Sequence, residues 1–223
     1  MISIIIPVLN EERALPATLQ HVFSQTGEFE VIVIDGGSTD NTRDIVGQDS
    51  RIRLLTATTG RASQMNAGAQ HASGEWLLFL HADTLLPKDA LLTIEQLSPQ
   101  IQAGGFRHLF SGRAWSLRLI SWLDNVRCRW TRILYGDQAM FVRRDLFSKL
   151  GMFPNEPVME DVLFSEQLVK VTRPVILNSY VITDSRKFEQ EGVWLSFWRV
   201  LRILARHELH LPIRTRKFFS NVR

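Results

Sequence analysis

Apolar residues recur along the chain in two rhythms. Short aliphatic and β-branched runs over 2–9, 30–34, 52–57 and 75–80 predict strands. In the last of these, Trp76-Leu77-Leu78-Phe79-Leu80 shows no alternation, the pattern of a strand buried on both faces. Between the strands lie helical spacings. Leu15, Leu19, Val22 and Phe23 share a face within 11–25, and a short helix follows the capping-rich Ser38-Thr39-Asp40-Asn41-Thr42. A small-residue helix runs from Gly60-Arg61 to Ala72, and another covers about 88–97. Strands alternating with helices in this way predict a mainly parallel sheet wrapped by helices. The alternation stops near residue 100. Beyond it come a strand over 104–110, a long helical stretch over 113–135, a strand over 138–142, a helix over 158–171, an extended segment over 174–184 and an amphipathic helix over 193–209. No repeat or low-complexity linker divides the chain, so it reads as one α/β domain with two functional halves, 1–100 and 101–223.

The predicted parallel strands end on polar residues, and in open α/β sheets ligands bind just beyond the carboxyl ends of strands. A fully buried strand has no packing use for a carboxylate at its tip. In an extended segment His81 and Asp83 share a face, and the pair can hold a divalent ion that neutralises a diphosphate. The alternative for Asp83 is a cap on the helix that begins near Lys88. Asp35, at the tip of the second strand, suits a nucleobase or ribose, or else an Asx turn before Gly36-Gly37. Glu11 and Glu12 suit a ligand rim or a helix's first turn. Arg61, just after Gly60 at the mouth of the sheet, can pair with a diphosphate or stand solvated; Asn66 and Gly68 allow close helix–sheet packing.

Composition narrows the setting. The 223 residues are 45% hydrophobic and 22% charged, enough for a sizeable core. Cys128 is the only cysteine, which excludes an internal disulfide and suits a reducing compartment. The apolar start lacks a basic leader and breaks at Asn10-Glu11-Glu12, and no uncharged run is long enough to span a bilayer, so a cytoplasmic location is expected. Net charge is +3, yet 186–223 holds nine Lys/Arg against three Glu. That excess implies an anionic partner, either a membrane surface or a phosphate-bearing substrate; no nucleic-acid motif accompanies it, and nucleic acid is not expected. Trp and aliphatic residues interleave with Arg over 113–135 and 194–209. Such stretches suit a peripheral membrane face, a lid over a lipid-linked acceptor, a core stripe with a basic outer side, or a homodimer interface.

Taken together, Pro7-Val8-Leu9-Asn10-Glu11-Glu12, Asp35-Gly36-Gly37-Ser38-Thr39-Asp40, Arg61 with Asn66-Ala67-Gly68, and His81-Ala82-Asp83 resemble the family 2 glycosyltransferases of the GT-A fold. The resemblance implies a nucleoside-diphosphate sugar donor, with Pro7, Leu9 and Glu11 along the nucleoside and Asp35 at the base. It implies Mn²⁺ or Mg²⁺ on Asp83, while His81 stands where the family usually has the first Asp of its Asp-x-Asp motif. Met159-Glu160-Asp161, after Gly151-Met152-Phe153-Pro154, resembles the family's Glu-Asp motif, whose Asp is the usual general base of an inverting transfer to an acceptor hydroxyl. Asp161 is then the catalytic candidate, and Glu160 and the Asp137 of Gly136-Asp137-Gln138 are acceptor-side candidates; all three also suit ordinary turn or first-turn positions. Ser185-Arg186-Lys187-Phe188 with Gly192-Val193-Trp194 resembles a basic-aromatic segment placed on the donor diphosphate, with Phe188 where Trp is common. The short form without membrane helices looks similar to a bacterial subgroup linked to arsenosugar biosynthesis. A nucleotidyltransferase of similar fold would need a Gly-rich basic loop after the first strand, which Asn10-Glu11-Glu12 does not supply. A non-catalytic nucleotide-binding regulator would be favoured by loss of Asp83 or Asp161, and both are present.

Overall fold

A computed structural model describes residues 1–209, apart from the side chains of Lys187, His207 and Glu208. Lys187 and the C-terminal part of the basic segment, with Arg214, Arg216, Lys217 and Arg223, therefore lie outside what is described below.

The first half forms as the apolar runs predict. Strands β1 (Ile2–Val8), β2 (Phe29–Asp35), β3 (Ile52–Thr56) and β4 (Trp76–Phe79) pair in parallel in the order β3-β2-β1-β4. The helices α1 (Leu15–Phe23), α2 (Thr42–Gly47) and α3 (Arg61–His71) connect them. Ile2, Ile4, Ile6 and Val8 pack with Leu15, Leu19 and Val22 of α1, whereas Ile5 packs with Ala62, Met65 and Ala69 of α3 on the opposite face. Each such aliphatic side chain contributes about 1.5–3 kcal/mol by leaving water, so β1 anchors both layers. Gly68 sets how closely α3 approaches: a Cβ there would lie 2.6 Å from both Ile34 Cδ1 and Ile5 Cγ2.

The second half completes the sheet with β5 (Thr84–Leu85), α4 (Ala90–Glu95), β6 (Ala103–Phe110), α5 (Trp115–Thr131), a 3₁₀ turn (Gly136–Gln138), β7 (Phe141–Arg143), α6 (Arg144–Lys149), α7 (Glu160–Val171), β8 (Val175–Thr183), α8 (Arg186–Glu191) and α9 (Val193–Glu208). The sequence reading did not anticipate β5, α6 or α8, and the strand read over 138–142 begins instead as the 3₁₀ turn. The eight strands run β3-β2-β1-β4-β7-β6-β8-β5, with β7 antiparallel to β4 and β6, and β5 antiparallel to β8. This order forces the sheet to curl. The peptide from Phe79 to Thr84 reaches at most about 17 Å when extended, whereas four strand spacings of a flat sheet come to about 19 Å. It also turns, the Thr84 N–H donating to the His81 carbonyl at 3.2 Å. His81 and Asp83 sit on the short bridge that draws the two ends of the curl together.

Helix α5 departs from the expected core stripe. Ser116, Leu117, Ile120, Ser121, Asn125 and Cys128 face inward, while Trp115, Leu119, Trp122, Leu123 and Trp130 are exposed. The inward polar residues have a purpose. Asn125 accepts from the His108 N–H and donates to its carbonyl, and the Phe110 N–H donates to Ser121 Oγ, so α5 satisfies a stretch of β6 backbone. Among the described residues no helix is long and apolar enough to cross a membrane.

Candidate active site

The winding reverses between β1 and β4, because β2 and β3 lie on one side of β1 and β4 on the other. A crevice opens at the carboxyl ends of the strands at such a switch point. Here it is a cavity of about 330 Å³. The tip of β1 contributes Pro7, Leu9 and Glu11, and the β4–β5 bridge contributes His81 and Asp83. Arg61 and Gln64 enter from α3, Gly136 and Asp137 from the 3₁₀ turn, Asp161 from α7, and Asp184 from the end of β8.

Hydrogen bonds hold the rim. Asn10 has φ 56°, and α1 begins only at Leu15 rather than at Glu11. The Asn10–Glu12 backbone is drawn instead onto the β2–α2 loop: the N–H groups of Asn10, Glu11 and Glu12 donate to Ser38 Oγ (2.9 Å), Thr42 Oγ1 (2.8 Å) and Asp40 Oδ2 (3.1 Å). In return the Thr39 and Asn41 N–H groups donate to Asn10 Oδ1 and Glu12 Oε2. Glu12 is therefore a loop tie, not a first-turn charge of α1. Gln64, which sequence reasoning missed, donates from Nε2 to the Val8 and Ile34 carbonyls at 2.8 Å each, tying α3 to the ends of β1 and β2. Its signal was a polar residue on the inward face of α3, four positions before Gly68. Asn66 ties α3 to the loop before α7 through both the N–H and the carbonyl of Phe153.

The other expected site residues fall as follows. His81 and Asp83 both line the cavity, although the turn at Ala82, not an extended strand, brings them there. Asp83 does not cap α4, which begins after the left-handed Asp89; its carbonyl instead accepts from the Asp184 N–H at 3.0 Å. Asp35 is fully buried and accepts from the N–H groups of Gly37 (3.2 Å) and Ser38 (3.0 Å), an Asx turn, with Arg43 3.9 Å away. Arg186 opens α8, and its Nε pairs with Asp184 Oδ2 at 2.5 Å.

Asp161 is brought against the 3₁₀ turn. Its Oδ2 accepts from the Gly136 N–H and its Oδ1 from the Val162 N–H at the start of α7. A Cβ on Gly136 would lie 2.7 Å from His81 Nε2 and 3.0 Å from Asp161 Oδ2, so a larger residue there would have to push these two side chains aside. Glu160, nearly fully buried, forms an ion pair with Arg61, its Oε1 2.7 Å from Arg61 Nε, and its Oε2 accepts from Arg61 Nη2 at 3.4 Å. Burial pushes the Glu160 carboxyl above its ordinary value against the pull of Arg61. Burial of Arg61 is outweighed by Glu160, Asp161 and Asp137, which hold the guanidinium's pKa up. Asp137 is also pushed up, first by burial and then by Asp124 and Asp161, while His108 and Arg127 oppose. His108, a second residue that sequence reasoning missed, is buried with Nε2 3.6 Å from Asp137 Oδ2. The alternation Phe106, His108, Phe110 along β6 signalled its inward direction. Tyr135 lies over Arg127, 3.5 Å from the guanidinium carbon to the ring centre, and burial lifts its hydroxyl to about 12.

A sequence model described as Glycosyl transferase family 2 matches residues 3–147, well over half of the chain. The chain belongs to this family. A PGL/p-HBAD biosynthesis glycosyltransferase of Mycobacterium bovis is 36% identical over 165 residues, 69% of this chain and 63% of that relative. The chain thus spans a little under two thirds of the length of that relative. Among solved structures, S. aureus TarS 1–349 in complex with UDP-GlcNAc is similar with a TM-score of 0.67 and 22% identity, over 83% of this chain and 58% of that one. A mannosyltransferase of Pyrobaculum calidifontis in complex with GDP-Man and Mn²⁺ is similar with a TM-score of 0.62 and 23% identity, over 81% of this chain and 56% of that one. The α/β architecture with its curled, mixed sheet is therefore the GT-A fold of the family 2 glycosyltransferases.

Proposed function

We propose that the chain transfers a sugar from a nucleoside-diphosphate donor to an acceptor hydroxyl with inversion, and that Asp161 takes the acceptor's proton. The observation that carries this reading is the convergence of Asp161, Gly136 and His81 in the cavity whose opposite rim is the β1 tip. Pro7, Leu9 and Glu11 receive the nucleoside along that rim, and Asp35 supports the base region by holding the turn through Ser38. The acceptor oxygen gives its proton to an Asp161 carboxylate oxygen and bonds to the anomeric carbon. The bond from that carbon to the diphosphate breaks, and the nucleoside diphosphate leaves with the electron pair. The two N–H donors on Asp161 orient the carboxylate for this step. Asp137 lines the cavity on the acceptor side, and Glu160, buried beside Asp161, acts there through Arg61, which it holds. Arg61 lines the cavity on the donor side, paired with Glu160, whereas Arg186 is paired with Asp184, the residue that lines the cavity there.

Among the described residues no three His, Cys, Asp or Glu side chains group as a metal cage. Mg²⁺ and Mn²⁺ need no such cage where one or two carboxylates and substrate phosphates share the ion. Asp83 with His81 fits that partial donor set, and an ion there would offset charge on the departing diphosphate. The relatives' UDP-GlcNAc, and GDP-Man with Mn²⁺, support the donor class and the ion.

Asp161→Asn tests the assignment. Steady-state transfer should fall roughly 10²–10⁴-fold, the scale of a positioned general base, with kcat falling more than KM changes. Donor affinity should stay near normal. If the residue serves only as a first-turn charge, the change costs about 1 kcal/mol of stability or less and leaves turnover intact, which would end its candidacy.

A further inference from the structure

Helices α5 and α9 turn their tryptophans outward. Five of the chain's six tryptophans, all but Trp76, are exposed on these two helices: Trp115, Trp122, Trp130, Trp194 and Trp198. On α5, Trp115, Leu119, Trp122 and Trp130 fall at helical spacing on a single stripe, with the exposed Arg118 and Arg129 between them. On α9, Trp194, Trp198 and Leu201 form a matching stripe beside Arg199 and Arg202. The Trp115 and Trp194 rings lie 5.7 Å apart, so the two stripes make one continuous surface. A folded chain rarely leaves aromatic area of this kind in water without a partner for it.

Charge selects the occupant. The only carboxylate on α5, Asp124, is turned inward and held by Arg127, and Glu191, just before α9, is paired with Arg199. The face therefore shows arginines among tryptophans, with Arg113 exposed at its edge. A second copy of the chain would set arginine against arginine. An anionic bilayer surface accepts both groups, since indole rings settle at headgroup depth while arginines reach the lipid phosphates. The opposite side of α9 gives Val200, Ile203 and Leu204 to the wall of the cavity. One helix thus stands between this face and the proposed active site.

We infer that the exposed face of α5 and α9 docks the protein on an anionic lipid bilayer, with Trp115, Trp122 and Trp198 as its apolar anchors. Docking presents the apolar side of the cavity to the membrane, where an acceptor with a lipid tail would be held.

The test needs no donor and no turnover, so its outcome is independent of the proposed transfer reaction. The full 223-residue chain is sedimented with vesicles of phosphatidylglycerol and phosphatidylcholine in equal parts, and with phosphatidylcholine alone. It should partition strongly to the anionic vesicles, and brominated lipid should quench its tryptophan fluorescence. A Trp115→Ser, Trp122→Ser, Trp198→Ser variant with an unchanged melting temperature should lose at least about tenfold in binding, since each ring contributes interfacial affinity. Arg118→Glu with Arg202→Glu should lose at least about fivefold per arginine, since the loss of one cation at an anionic surface alone is worth that much, and should leave what little binding occurs to neutral lipid unchanged. Absence of vesicle binding, or equal binding by the tryptophan variant, overturns the inference. So does a wild-type chain that sediments as a dimer without lipid and becomes monomeric in the tryptophan variant.

Discussion

Replacing Arg61 by alanine isolates one interaction that the fold created and the sequence reading placed elsewhere. In the native chain Arg61 Nε meets Glu160 Oε1 at 2.7 Å, the glutamate side chain 2% exposed and the arginine 28%. Removing one member of a buried ion pair leaves the other charge without compensation, at a cost of about 3–5 kcal/mol. Arg61 keeps some water access, which places the expected loss at the lower end, about 3 kcal/mol. For a domain of this size that corresponds to a drop of about 6–12 °C in Tm. The loss should also depend on pH with a definite sign. Burial already holds the Glu160 carboxyl above its ordinary value, and Arg61 is the strongest opposing cause. Without Arg61 the folded state binds the Glu160 proton still more tightly than the unfolded chain does. The penalty on the variant therefore grows as pH rises and shrinks as pH falls toward the ordinary glutamate value of about 4.3. Urea unfolding of both proteins at pH 7 and near pH 4 measures the difference. The double replacement Arg61→Met with Glu160→Gln removes both charges and should recover most of the stability at pH 7. A loss under about 1 kcal/mol, or an equal loss at both pH values, would refute the claim that Arg61 neutralises Glu160.

Two further outcomes follow from the site's geometry. Burial, Asp124 and Asp161 raise the Asp137 carboxyl, so ionising it costs the folded state stability as pH rises through and above the ordinary aspartate value; Asp137→Asn should melt higher than wild type at pH 7 and lose that advantage in acid, and a lower melting temperature at neutral pH would contradict this. Nucleoside-diphosphate binding measured by calorimetry should be at least about tenfold, or ~1.4 kcal/mol, tighter with Mn²⁺ than with a chelator; Asp83→Asn should abolish the difference, and equal wild-type affinity in both conditions would remove the ion from the site.

What could be read without coordinates was whatever depends on neighbours in sequence. The mostly aliphatic run of β1 and the Trp76–Phe79 run of β4 specify buried strands because no other placement hides both of their faces. The resemblance of their polar tips to family 2 pointed to the edge of the sheet where the cavity lies. Elements too short to carry a period, β5, α6 and α8, were not legible. Their ends are decided by pairing partners far away, as when Thr84 and Leu85 join Thr183 and Ile182. Partner choice among charges was equally hidden. Arg61 lies 99 positions from Glu160, and only the packing of α3 beside α7 joins them. The clearest divergence is α5. Its periodicity specified a helix, but periodicity cannot say which side of a helix the rest of the protein occupies. That was settled by backbone groups on β6, whose His108 and Phe110 needed Asn125 and Ser121, so the side carrying Asn125 and Ser121 turned inward and the tryptophans outward. A buried N–H or C=O without a partner costs more than exposed indole, and that balance exists only once the sheet has formed.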